Sequence, residues 1–183
     1  MHAIETRLDA LDGGARLAEI RSLGRAEQAR LFEAAAGHRA ISLDHLVPAD
    51  RGVMREVVHE GKNSLPAFNH FAKVCVLPKP EAPEVWGYNR AGGFIETLVG
   101  PGYFVAYPHE VAGELLVDYV RVPPSRPDHW PEILPNSARL SLFVYNGTQD
   151  ILRGVSRHVT IGRATRGGKA MSAWFVLCRS DES

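Results

Sequence analysis

From about Val85 onward the chain is cut at short intervals by Ala91-Gly92, Gly100-Pro101-Gly102, Ala112-Gly113, Asn146-Gly147 and Gly167-Gly168. Asn-Gly and Gly-Gly pairs tolerate positive φ and make tight turns. Only short segments fit between them, and these are rich in β-branched and aromatic residues. They read as strands near 84–89 (EVWGYN), 93–99 (GFIETLV), 102–107 (GYFVAY), 114–122 (ELLVDYVRV), 139–145 (RLSLFVY), 155–165 and 169–179. Turns this short join strands antiparallel, so the region 84–179 reads as a meander of about seven strands. One connection differs. In "PPSRPDHWPEILPNS", prolines 123, 124, 127, 131 and 135 surround Trp130. Proline supplies no ladder donor, so this segment is expected to be a stiff crossing or a lid.

The first third carries a different period. Ile4, Leu8 and Leu11, then Leu17 and Ile20, then Leu31, Phe32 and Ala35 recur at helical spacing, with breaks at Gly13-Gly14 and Gly24 and a stop at Gly37. A short helix is expected from Ser42. Another is expected in "SLPAFNHFAKVCVLP", where Ser64 can cap, Pro66 suits a first turn, and Phe68, Phe71 and Val74 share a face. Residues 1–77 therefore read as mostly helix, and the whole as one α+β domain, 1–183. The sheet is expected to be curved or closed like a barrel, since its last hairpin has no purely polar face.

The expected register of that hairpin follows from Gly167-Gly168. Arg166 opposes Lys169, and counting back sets His158 opposite Leu177 and Thr160 opposite Phe175 on one face, with Val159 opposite Val176 on the other. A face carrying Ser156, His158 and Thr160 among Phe175 and Leu177 has the make-up of a ligand pocket, mostly apolar with a few polar groups. It is equally compatible with a partly solvated surface. Asp118, flanked in parity by Leu116 and Val120, is the acid that can partner His158, and Tyr119 or Tyr145 can supply a hydroxyl. Asn89, Tyr103 and Trp130 are further candidates for the lining.

A formal charge of zero argues against an electrostatic nucleic-acid binder. No apolar run reaches membrane-spanning length, and Met1 leads into a charged amphipathic segment, so a cytoplasmic protein without membrane insertion is expected. The two cysteines, Cys75 and Cys178, fit a reducing compartment. None of the eight histidines has HxH or HExxH spacing, and no GxxxxGK[ST], GxSxG or strand-to-helix GxGxxG occurs, so neither a metal nor a nucleotide cofactor is expected.

The plan of an antiparallel meander with helices closing one side resembles lipocalin-type barrels and START-like helix-grip folds, which hold hydrophobic small molecules. The Gly-x-Trp signature of the first is missing, since Trp86 precedes Gly87, and the long terminal helix of the second is replaced by the strand "WFVLCR". No family residue is carried across.

Three functions fit these residues. The first is binding of a small, largely apolar molecule in a barrel cavity. The second is a cofactor-independent isomerase, cyclase, dehydratase or hydrolase built on His158, Asp118 and a tyrosine. The third is an interaction module using the apolar stripe of Leu8, Leu11, Leu17 and Ile20. A homodimer is compatible with each.

Overall fold

A computed structural model describes residues 1–66, 69–90, 101–133 and 147–180. Three helices, α1 (His2–Ala10), α2 (Gly13–Ser22) and α3 (Arg25–Ala34), precede a one-turn helix α4 (Leu43–Leu46) and a 3-10 turn at Ala49–Arg51. Among the described residues eight strands follow: β1 (Val57–Asn63), β2 (His70–Val76), β3 (Val85–Arg90), β4 (Tyr103–Pro108), β5 (Leu115–Asp118), β6 (Thr148–Gly154), β7 (Val159–Arg166) and β8 (Lys169–Arg179). Each pairs antiparallel with the next, and β1 pairs with β8, so the sheet is a closed barrel.

The break before α3 falls at Gly24 as read, whereas the earlier one falls at Leu11-Asp12, and Gly13 and Gly14 are the first residues of α2. Asp12 Oδ1 accepts from Ala15 N at 2.8 Å and starts α2, while Gly37 takes a left-handed φ of 66° after α3. The helical region is shorter than the sequence reading. Residues 57–63 and 70–76 are strands, and the helix expected in "SLPAFNHFAKVCVLP" is β2 instead. Ala72, Val74, Cys75 and Val76 are all buried there, because β2 has apolar neighbours on both faces. A run of this kind matches a helical stripe and a doubly covered strand equally well. Residues 155–165 also divide differently: Thr148–Gly154 forms β6, and residues 155–158 turn into β7. The strands expected near 93–99 and 139–145 lie outside the described residues.

Alternation sorts the strands into an inner and an outer face. The outer face of β7 and β8 (Val159, Ile161, Val176, Cys178) is covered by Leu8, Ile20, Phe32 and Ala35 of the helices and the turn after them. Leu8 and Ile20 of the stripe considered for a partner, with Leu17 partly buried beside them, are therefore spent on the barrel. Arg16, buried, fixes the α1–α2 corner by donating to Leu8 O at 2.9 Å and Leu11 O at 2.7 Å, two carbonyls that end α1. On another side, the proline-rich connection lays Trp130 over Tyr88 and Tyr103, with Val74 and Val76 beneath. The crossing is thus a cover for the outer face of β2–β4. Inside, α4 contributes Leu46, and its flanks Ile41 and Val47, to a core with Val57, Val85, Leu115 and Leu152 near one end of the barrel.

The β7–β8 hairpin begins as read, with Arg166 opposite Lys169 and Thr165 opposite Ala170. A bulge then moves the register by two, so Thr160 meets Leu177, Gly162 meets Phe175 and Ile161 meets Val176. Arg163 holds the irregularity by donating from Nε to Met171 O at 2.9 Å. An even shift preserves alternation, so Thr160, Phe175 and Leu177 still share one face.

Candidate functional site

Lys73 sits on β2 between Phe71 and Cys75, at an inward position of a strand whose outward residues are also covered. Its Nζ donates to Tyr119 Oη, to Asn89 Oδ1 at 3.1 Å and to Asp150 Oδ2 at 3.4 Å. Asn89 Nδ2 donates to the same Tyr119 hydroxyl at 2.9 Å. The four residues come from four places: Asn89 is opposite Lys73 in the β2–β3 ladder, Tyr119 follows β5, and Asp150 is the third residue of β6. The ring centroids of Phe71, Phe104 and Phe175 lie 4.9–5.6 Å from Nζ, within cation–π range, while Tyr119 meets it through its hydroxyl end. The result is a nitrogen with three hydrogen-bond acceptors, set among phenyl rings inside the barrel.

Two glycines make room for those rings. Gly87 opposes Phe104 and Gly162 opposes Phe175 across their ladders. A Cβ on Gly87 would stand 2.3 Å from Phe104 Cζ, and one on Gly162 would stand 2.1 Å from Phe175 Cζ. Only a residue without a side chain lets each phenyl lie flat against the opposite strand.

Burial dominates the electrostatics. It pushes the Lys73 ammonium below the usual lysine range, with Asp150 pulling the other way, and it pushes the Asp150 carboxyl up, with Lys73 opposing. Both displacements run toward the neutral forms, and the attraction between the two charges opposes each. Cys75, next inward along β2, is pushed up to about 12 by burial and is a thiol without nucleophilic character.

A second group of polar side chains lies toward α4. His59 Nε2 bonds Leu46 O at 2.9 Å, which makes that nitrogen the donor, and the ring stacks with His45 at 6.5 Å. Arg179 donates to His45 O at 2.8 Å, and its own backbone N–H bonds His158 O. The Nδ1 of His59 and the hydroxyls of Thr160 and Ser156 are buried with no hydrogen-bond partner among the described residues. Water is the ordinary occupant of such positions.

His59 makes the fold acid-sensitive. Burial lowers its pKa from 6.5 to about 4, and His45 moves the same way. Between those two values the unfolded chain binds a proton that the folded chain refuses. The stability is therefore complete above pH 6.5, declines as the pH falls through the window, and loses roughly 3 kcal/mol to His59 by the lower limit. Urea melts at several pH values should show a slope that His59→Asn flattens; parallel slopes for the two proteins would remove this assignment.

The sequence-selected residues are distributed over three places. Asn89 and Tyr119 join the Lys73 cluster, and Phe175 is one of its walls. Thr160 and Leu177 lie inside, lower in the barrel, with Ser156 and His158 in the β6–β7 turn. Asp118, Tyr103 and Trp130 are on the outer side. Asp118 accepts from Tyr107 Oη at 2.9 Å and from Val120 N at 2.8 Å, so its carboxylate is committed away from the lumen and is not brought to His158. Tyr103 donates to Pro131 O, and Trp130 Nε1 donates to Glu56 Oε1. Tyr145 lies outside the described residues. Sequence reasoning missed Lys73, Asp150 and His59. A lysine centred in the apolar run FAKVCV, and the alternation Thr148, Asp150, Leu152 directly after Asn146-Gly147, are the signals that mark the first two.

No helix among the described residues is long and apolar enough to cross a membrane. Comparison with protein-family models, with curated proteins and with solved structures found no match.

Proposed function

We propose that the barrel binds a small, largely apolar molecule whose one polar end group meets Lys73, Asn89, Tyr119 and Asp150. The observation that carries this reading is the cluster itself: four hydrogen-bonding side chains converge inside an aromatic-walled barrel. That is the usual make-up of a small-molecule site, with apolar walls supplying affinity and a few placed polar groups supplying orientation. A buried ion pair is a poor way to stabilise a core, because hydrophobic residues of the same volume do as well or better. Its retention here favours a role in recognition. The outer cleft of about 90 Å³ beside Gly37, Gly113 and Arg153 is a weaker alternative, since its charges are already paired, Arg153 with Glu114 at 2.8 Å and Arg39 with Glu5 at 2.6 Å.

Native and denaturing mass spectrometry on the protein purified from cells tests the proposal. The expected result is a small molecule retained by the native protein and released on denaturation. For protein that arrives empty, saturable uptake of the neutral apolar dye N-phenylnaphthylamine is expected, weakened by Phe175→Ala. Empty protein that also takes up no dye would overturn the reading.

A further inference from the structure

We propose that Lys73 is a nucleophilic amine that captures aldehydes or ketones as imines, which makes apolar carbonyl compounds the ligand class of the barrel. The inference rests on the binding reading above and names the chemistry of the ligand's polar end.

Four observations carry it. First, the lumen cation is a lysine in a chain where arginine outnumbers lysine seventeen to four. Arginine makes the better buried ion pair, whereas lysine alone of the two can give up its proton and attack carbon. Second, a proton acceptor stands beside the nitrogen, since Asp150 Oδ2 is 3.4 Å from Nζ. Third, the Tyr119 hydroxyl accepts from Nζ and also from Asn89 Nδ2 at 2.9 Å, so an N–H donor stands one bond away from the nitrogen and can turn to the oxygen of an incoming carbonyl. Fourth, Asp150 disfavours a carboxylate ligand by like charge but leaves a neutral carbonyl unopposed.

The chemistry balances without a further reactant. Asp150 takes a proton from the ammonium, and the nitrogen lone pair then forms a C–N bond to the carbonyl carbon while the C=O π pair moves to oxygen. Asp150 returns that proton to the oxygen, takes the second proton from nitrogen, and passes it to the carbinolamine hydroxyl, which leaves as water to give the protonated imine. The protonated imine keeps a positive charge where the ammonium stood. Phe71, Phe104, Phe175 and the Asp150 carboxylate stabilise it as they do the resting cation. The other three lysines have no such surroundings: Lys79 and Lys169 are exposed, and Lys62 donates to Arg21 O at 2.7 Å.

The test is reductive trapping on the whole chain. Benzaldehyde is incubated with the protein and sodium cyanoborohydride at neutral pH, and the benzylated lysines are mapped by peptide mass spectrometry, with N-phenylnaphthylamine uptake measured in parallel. Lys73 is expected to be labelled at least about tenfold faster than Lys79, a modest share of what orientation in a site can supply. Lys73→Arg should keep the cation and abolish the label; if that variant fails to fold, the wild-type map decides alone. Labelling spread over Lys62, Lys79 and Lys169 with none preferred at Lys73 would overturn the proposal. Saturable dye uptake with no label at Lys73 would overturn the imine and leave the binding site standing. Absence of both would remove the two together.

Discussion

Replacing Lys73 by methionine is expected to destabilise the protein by about 3–5 kcal/mol, because the change leaves Asp150 buried without its counter-charge. Methionine fills nearly the same volume, so the loss would come from the unpaired acid and the orphaned hydroxyl and amide of Tyr119 and Asn89 rather than from a cavity. The double variant Lys73→Met/Asp150→Leu should recover most of that loss, since removing both charges from an apolar lumen ends the desolvation cost of each. Urea denaturation of the single and double variants gives the coupling directly. A single variant within about 1 kcal/mol of wild type would mean that Lys73 and Asp150 do not depend on one another.

Gly162→Ala should cost about 3 kcal/mol, a large effect for one methyl group. The new Cβ would fall 2.1 Å from Phe175 Cζ, and two further ring atoms stand within 2.6 Å. Neither strand can retreat, because β7 and β8 are each paired on both sides. Phe175 must therefore leave its place against the sheet, give up its edge contact with Phe71, and open the wall around Lys73. Adding Phe175→Leu should return much of the stability, so the two changes would be far from additive when compared by thermal or urea melts. Additive losses would show that the glycine matters for backbone reasons alone.

These two sites also mark what could be read from residues alone. The antiparallel meander, the helical front and the last hairpin follow from local chemistry: Gly167-Gly168 permits one tight turn, and alternation then assigns Thr160, Phe175 and Leu177 to one face. The bulge at Arg163 was not legible, since it depends on a side chain reaching back to Met171 O. Because it moves the register by an even number, the facial assignment survived while the pairs changed. Lys73 was missed for a different reason. The helical spacing that includes Phe71 and Val74 coincides, over β2, with a strand covered on both faces, and only tertiary packing chooses between them. Asp118 shows the same limit in reverse. It shares its parity with apolar residues, yet that parity points outward to Tyr107, whereas its neighbour Tyr119 points in. Nothing local tells which side of a two-faced strand is the lumen.

The seam of the barrel has a consequence for how the chain comes to be folded. The ladder from His59–Arg179 to Asn63–Phe175 joins the first strand to the last, and α1–α3 rest on β7 and β8. During synthesis, therefore, the first strand and the helices emerge long before the surface that receives them. Until β8 arrives, β1 offers an unpaired edge and the helices an uncovered apolar stripe, both of which invite association with other chains. Contacts so distant in sequence also place the closing step among the slower ones for a chain of this length, on the order of milliseconds to seconds. A chain stalled just short of β8 would carry nearly every residue of the Lys73 cluster and still lack both the Phe175 wall and the strand that seals the ring.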